Sequence, residues 1–128
     1  MSPRPCRLAG RRRSERGAVT AELAMALPLL VAVTVGLVWL LAVGAAQVRV
    51  TDAARETARA AARGDSDADA AAIGARVAPA GASVALSRSG DRVTVTVRGE
   101  VAGPGGLFGF LPGATVDAEA VALAEAPS

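Results

Sequence analysis

The stretch GAVTAELAMALPLLVAVTVGLVWLLAVGAAQV, residues 17–48, decides the fold of this chain. From Leu23 to Val48 it contains 26 residues without a charge. A helix of that length spans about 39 Å, which is enough to cross a hydrocarbon core of about 30 Å once, with some tilt. Glu22 stands at the entrance of this run. An ionisable side chain in that position is costly in lipid and is therefore a candidate functional residue.

Charge is distributed unevenly around this stretch. Residues 1–17 contain six arginines and one acid, a side-chain charge of +5, whereas the rest of the chain has eight arginines and eleven acids, a sum of −3. With Pro3 and Pro5 in it, the segment 1–17 is interpreted as an unstructured leader that its positive charge holds in the cytoplasm. The part that follows has no basic surface, so nucleic acid is not expected as a partner.

The residue types also exclude several kinds of chemistry. The chain has no histidine and a single cysteine, Cys6, which lies in the leader. Disulfides within the chain, metal sites built on His or Cys and a catalytic triad with His are therefore not expected. No constellation typical of an enzyme is present, so we expect no catalytic residues, no metal, no cofactor and no small-molecule substrate.

The helical pattern continues beyond the apolar run. We expect one helix over residues 18–63, in which a transmembrane part continues as an alanine-rich, amphipathic stalk that Gly64 ends as a C-cap. Pro28 removes one backbone donor and is expected to kink the transmembrane part. Ala32 and Gly36 form a small-xxx-small pair of the kind that lets another helix approach closely.

The stalk has a charged face and a face of small side chains. Arginines at positions 55, 59 and 63 form the charged row. The small face consists of Val50, Ala54, Ala58 and Ala61. Either the stalk is an ordinary solvated helix beside the membrane, or its small face packs under the C-terminal domain or against the next subunit.

Residues 64–128 are expected to form a small extracytoplasmic α+β domain. Asp65-Ser66-Asp67 predicts the N-cap of a short helix that ends near Val77. Three strands are predicted over residues 83–89, 92–101 and 115–124, with the first two joined as a hairpin. The predicted fold class is a membrane α+β protein: a long N-terminal transmembrane and stalk helix, then a small domain with a short helix and a three-stranded antiparallel sheet.

A glycine-rich loop over residues 103–113 carries an apolar tip. Its apolar side chains are Leu107, Phe108, Phe110 and Leu111. An exposed apolar tip can mark a contact site. Because the domain has so few aromatic residues, we expect this tip to fill its core instead.

A glycine, four residues, a glutamate and a long apolar helix form the pattern of type IV prepilins. The segments RGAVTAELAMALPLL (16–30) and DAARETARAAARG (52–64) resemble the TadE-like family, the minor pilins or pseudopilins of tight-adherence (Flp-type) pilus systems. The arginine- and alanine-rich composition is similar to that of actinobacterial members. At Leu23 the sequence differs from many Flp-type subunits, which have an aromatic residue there.

This resemblance implies a cut by a prepilin peptidase between Gly17 and Ala18, with Glu22 as the family's acidic residue. It also implies assembly with other Flp-type pilins by a membrane platform that a cytoplasmic ATPase drives. Glycine at the cut gives the protease an unhindered approach to the backbone. The Glu22 carboxylate can neutralise the new α-amine of an adjacent subunit, which compensates two charges that are costly in an apolar bundle.

Two other interpretations stay open. An uncleaved single-pass signal-anchor protein with an extracytoplasmic interaction domain has the same topology, with its N-terminus in the cytoplasm and its C-terminal domain outside. A secreted protein would be cut after Ala46, where Gly44-Ala45-Ala46 resembles a signal-peptidase site. The interpretation as a secreted protein fits the sequence less well, because the apolar region of its signal peptide would exceed the usual length of about 7–15 residues. The expected location is the cell membrane, with possible incorporation in a surface filament.

Overall fold

The computed structural model describes residues 9–105 and 108–126. Within these residues the chain forms two helices and three strands: α1 (Ala9–Ala62), α2 (Asp67–Val77), β1 (Ser83–Ser89), β2 (Arg92–Val101) and β3 (Ala114–Leu123). The strands form one antiparallel sheet in the order β1-β2-β3. The predicted fold class is confirmed, and each strand begins and ends within one residue of its predicted bounds.

Helix α1 is one continuous element of 54 residues. It begins at Ala9, so the expectation of an unstructured leader is wrong for residues 9–17. Four of these nine residues are arginine, which favours a helix. At the other end Gly64 has a φ of +100°, and the Asp65 N–H donates to the Ala60 carbonyl at 3.2 Å. Gly64 therefore closes the helix as predicted, because only glycine adopts this backbone conformation without strain.

The chain divides into two compact units, residues 1–37 and residues 38–128. The described part of the first unit is the N-terminal part of α1. The second unit contains the rest of α1 together with α2 and the sheet. This unit begins inside the helix, at Val38, whereas the sequence analysis places the start of the domain at Gly64.

The core of the second unit joins the small face of α1 to one face of the sheet. Val93, Val95 and Val97 of β2 are at most 1% exposed and alternate with side chains that are not buried. On the helix the buried residues are Ala46, Val50, Ala53, Ala54, Thr57, Ala58, Ala60 and Ala61. Of the alternatives left open for the stalk, the structure therefore shows the one in which its small face packs under the domain, where short side chains allow a close approach of helix and sheet.

Contacts at the two ends of β2 show how α1 runs along the sheet. The Trp39 indole Nε1 donates to the Ala102 carbonyl at 2.9 Å, directly after β2 ends. The Glu125 N–H donates to the Ala62 carbonyl at 3.0 Å, and the Ala124 N–H donates to the Asp91 carbonyl, directly before β2 begins. The second unit therefore has a Trp39 end and an Ala62 end, and α1 runs antiparallel to β2 between them.

Helix α2 packs closely against α1. Its N-cap is Ser66, whose hydroxyl accepts a hydrogen bond from the Asp69 N–H at 3.1 Å, as the sequence predicts. A Cβ atom at Gly74 would overlap the Thr57 hydroxyl and would lie 3.3 Å from the Ala53 carbonyl oxygen. Thr57 is fully buried, and its hydroxyl has no hydrogen-bond partner among the described residues. The absence of a side chain at Gly74 therefore allows α2 to pack directly against the backbone and Thr57 side chain of α1.

The apolar loop between β2 and β3 does not fill the core. Phe110 is 78% exposed and Leu111 is 41% exposed, while Phe108 is half-buried with its ring centroid 6.5 Å from that of Phe110. Leu107 lies outside the described residues. The expectation of a core role is wrong for Phe110 and Leu111, because the small side chains of α1 already cover the inner face of the sheet.

Candidate functional site

Gly17 lies within α1, exposed to solvent. A Cβ atom at this position would meet nothing within 4 Å, and Gly17 does not have a positive φ. Within a helix, glycine destabilises by about 1 kcal/mol relative to alanine. Neither space nor backbone conformation in the described chain requires a glycine at this position.

Glu22 is exposed on the same helix, five residues further on. It makes no hydrogen bond or ion pair with any residue that the structure describes. The residues one turn away on the helix surface are all apolar: Ala18, Val19, Met25 and Ala26. Among the described residues, Glu22 therefore has no charged neighbour within one turn of the helix.

The segment that follows Glu22 exposes large apolar side chains. Leu23, Met25 and Leu29 are 60%, 81% and 68% exposed. The most apolar window of 18 residues in α1 has a mean hydropathy of 2.5, and none of it is buried. In length and composition this helix can cross a membrane, and its exposure distinguishes it from the core helix of a soluble domain.

The residues expected to shape the transmembrane part lie in this same segment. Pro28 is inside α1, which continues through it. Ala32 and Gly36 are half-buried, and a Cβ atom at Gly36 would meet nothing within 4 Å. Space for an approaching helix is therefore present at Gly36. The kink at Pro28 and the packing role of the small pair stay predictions.

Two polar side chains of the apolar run, which the sequence analysis did not assign, connect α1 to the sheet. The Trp39 indole bonds to the carbonyl after β2, and the Gln47 Nε2 donates to the Asp117 carbonyl of β3 at 2.8 Å. The sequence feature that could have predicted these contacts is the chemistry of the two side chains. Both carry N–H donors within an otherwise apolar stretch, where a buried donor without an acceptor is costly. These donors indicated that the end of the run contacts protein.

The second unit also has an open cleft of about 570 Å³ near the start of β1 and the end of β2. Arg98 and Glu100, which line it, are both exposed, and neither forms an ion pair with another described residue. Their side chains are therefore not held in place. Within the ranges 9–105 and 108–126, no three His, Cys, Asp or Glu side chains come together as a metal site.

These features define a class of protein: a small α+β domain whose core includes the C-terminal part of a helix long and apolar enough to span a membrane. Residues 17–59 match the family described as TadE-like protein, so this part of the chain is TadE-like. The match confirms the resemblance found in the sequence and supports a protein associated with a Tad pilus. It begins at Gly17 and ends within the buried face of α1. No curated protein and no solved structure matches the chain.

Proposed function

We propose that the chain is a minor pilin or pseudopilin of a tight-adherence (Flp-type) pilus system. In this proposal a prepilin peptidase cuts it after Gly17, and α1 holds it in the cell membrane. The observation that carries the proposal is the pair at the start of the TadE-like match: a glycine that the fold does not need and an exposed acid without a counter-charge. Both residues are explained if their partners are other proteins.

The local structure around Gly17 suits a cut at this position. A peptidase needs the scissile backbone to leave the helix, and glycine lowers the cost of opening it there. Gly17 has no side chain that could pack against the rest of this helical turn, and Ala18, on the other side of the scissile bond, is exposed. Removing the residues before Ala18 breaks the bond from the Thr20 hydroxyl to the Arg16 carbonyl, 2.9 Å long, and none of the contacts of the second unit.

After the cut, Glu22 is the fifth residue of the mature chain. Its carboxylate would pair with the new α-amine of Ala18 in an adjacent subunit, which fixes the register between neighbouring helices. The six arginines before Gly17 favour a cytoplasmic N-terminus, which places the sheet domain outside the cytoplasm. The partners are then the prepilin peptidase, other Flp-type pilins and the membrane assembly platform.

The structure gives a physical argument against the secreted alternative. A cut between Ala46 and Gln47 would remove Trp39 with its bond to the Ala102 carbonyl, and it would remove the buried Ala46 from the core. The helix runs through this position without a break. Such a cut would therefore damage the domain that it is supposed to release.

N-terminal sequencing of the full chain, purified from membranes of a host that has a prepilin peptidase, tests the proposal. We expect the mature chain to begin at Ala18, and to begin at Met1 in the same host without the peptidase. Gly17→Leu should abolish the cut. Gly44→Leu is the matched control, because Gly44 is also an exposed helical glycine with nothing within 4 Å of its Cβ position.

The other outcomes separate the alternatives. A chain that begins at Met1 in the host with the peptidase is an uncleaved signal anchor, and a chain that begins at Gln47 is a secreted protein. Either result contradicts processing at Gly17. Processing of Gly17→Leu to the same extent as Gly44→Leu would show that glycine is not what the peptidase reads.

A further inference from the structure

The two ends of the second unit differ in chemistry. At the Ala62 end charged residues are frequent: Arg63, Asp65, Asp91, Arg92 and Glu125. At the Trp39 end there is no charge over residues 38–48 of the helix or over residues 101–116, which include the loop between β2 and β3. The Ala62 end is therefore rich in charge, whereas the charged residues nearest to the Trp39 end are Arg98 and Glu100 of β2, which line the cleft, and Asp117 of β3.

The Trp39 end also exposes large apolar side chains. Leu40 and Leu41 on the helix are 58% and 73% exposed, and Phe110 and Leu111 on the loop are 78% and 41% exposed. The bond from the Trp39 indole to the Ala102 carbonyl ties the base of the loop to the helix at this level. Exposed aromatic and apolar groups around a tryptophan are typical of the boundary between lipid and water.

The length of the apolar run supports a boundary at this level. Taken in full, residues 23–48 are 26 residues, about 39 Å of helix against a hydrocarbon core of about 30 Å. From Val43 onward, however, helix side chains pack against the core of the domain, and Gln47 bonds to β3. Residues 23–41 are 19 residues, about 28 Å, which matches the hydrocarbon thickness.

We propose that the Trp39 end of the domain rests in the lipid–water interface, with Phe110 and Leu111 of the loop in contact with lipid. The lipid-covered part of α1 then ends near Leu41, and the domain sits directly on the bilayer surface. This inference rests on the membrane anchoring in the proposed function, but it does not depend on the cut at Gly17 or on pilus assembly.

Lipid is the occupant that the connectivity of the chain favours. The Trp39 end is where the polypeptide enters the domain from the apolar residues 23–37. Wherever those residues lie in a bilayer, the bilayer surface has to be close to residue 38. A partner protein at this end would have to displace lipid from a surface that the anchor itself brings to the membrane.

Depth-dependent quenching tests this arrangement in the full chain, reconstituted in phosphatidylcholine vesicles. In a Cys6→Ser background, Phe110→Cys is labelled with an environment-sensitive fluorophore. Ser89→Cys is the matched control, because Ser89 is also exposed and lies at the Ala62 end, about 30 Å away along β2. We expect lipids with a doxyl group near the headgroup to quench the label at position 110, with a blue-shifted emission, and not the label at position 89.

Three outcomes are distinguishable. Quenching by lipid at position 110 alone supports the inference. A label at position 110 that only an aqueous quencher reaches, as at position 89, overturns it. A label at position 110 that neither quencher reaches also overturns it, because a protein then covers the loop. If lipid quenches the label at position 110 while sequencing finds Met1, the processing proposal fails and this one stands.

Discussion

Helix α1 contains two apolar stretches that have opposite surroundings. Between Val19 and Leu41 all of its Leu, Val and Met side chains except Val35 are 51–81% exposed. Between Ala46 and Ala61, by contrast, the alanines and Val50 that form the core are at most 7% exposed. Apart from Glu22, the first stretch is apolar on all sides, whereas the second is amphipathic and has a charged face opposite its buried one. Their apolar faces differ in side-chain size, since large side chains offer area to an apolar solvent and small ones allow a sheet and a second helix to approach closely.

This difference predicts that the same substitution destabilises one stretch and not the other, and the largest effect is expected at Ala53. Ala53→Leu adds three carbon atoms at a fully buried position beside Gly74 and should destabilise the second unit by about 3 kcal/mol. Ala26→Leu, at an exposed position of the first stretch, should leave its stability unchanged. Unfolding of the full chain in detergent micelles, followed by Trp39 emission, measures both. Equal effects would remove the distinction between the two stretches.

A smaller effect is expected where α2 crosses the buried stretch. Gly74→Ala should destabilise by about 1–2 kcal/mol, because overlap of the new Cβ with the Thr57 hydroxyl outweighs the gain of about 1 kcal/mol in helix propensity. Adding Thr57→Ala should restore much of the loss, since it removes the hydroxyl that is overlapped. Gly44→Ala, where the added Cβ meets nothing, is the control and should not destabilise. Additive effects of the two substitutions in the unfolding midpoint would argue against the proposed overlap.

The smallest effect on stability is expected at Glu22, where the substitution should instead weaken the association with pilins. Glu22→Ala should change the free energy of unfolding by less than about 0.5 kcal/mol, because the described chain gives this side chain no partner. Membrane insertion should also persist, while recovery of the other pilins with the affinity-purified protein should fall. Glu15→Ala is the control, because Glu15 is also an exposed acid but lies in the segment that the proposed cut would remove, and it should leave recovery unchanged. Undiminished recovery with Glu22→Ala would contradict the pairing of this acid with an α-amine.

Local patterns were sufficient to predict most of the fold. The alternation of Val93, Val95 and Val97 with polar residues identifies a half-buried strand, and Ser66 and Gly64 mark helix ends through their own backbone chemistry. These signals operate over a few residues and need no knowledge of distant contacts. The strand bounds were therefore accurate to one residue.

Properties that depend on distant contacts were not predictable in the same way. The point at which α1 joins the core of the domain depends on the sheet, because Val43 and Ala46 pack there, and hydropathy does not distinguish an apolar residue that faces a sheet from one that faces lipid. The exposure of Phe110 depends on alanines of α1 that already cover the sheet. Gly17 and Glu22 were found from their spacing alone, and their roles in processing and assembly remain predictions because those roles concern partner molecules.

The antiparallel arrangement of α1 and β2 has a mechanical consequence. Because the helix supplies part of the core and continues without a linker, tension applied at Val38 reaches the domain along the helix axis. Such a load shears the contacts from Trp39 to Ala62 together, whereas a pull across the sheet would open them one after another. Separating the domain from its helix by such a pull is therefore expected to require these contacts to fail together, and not one after another.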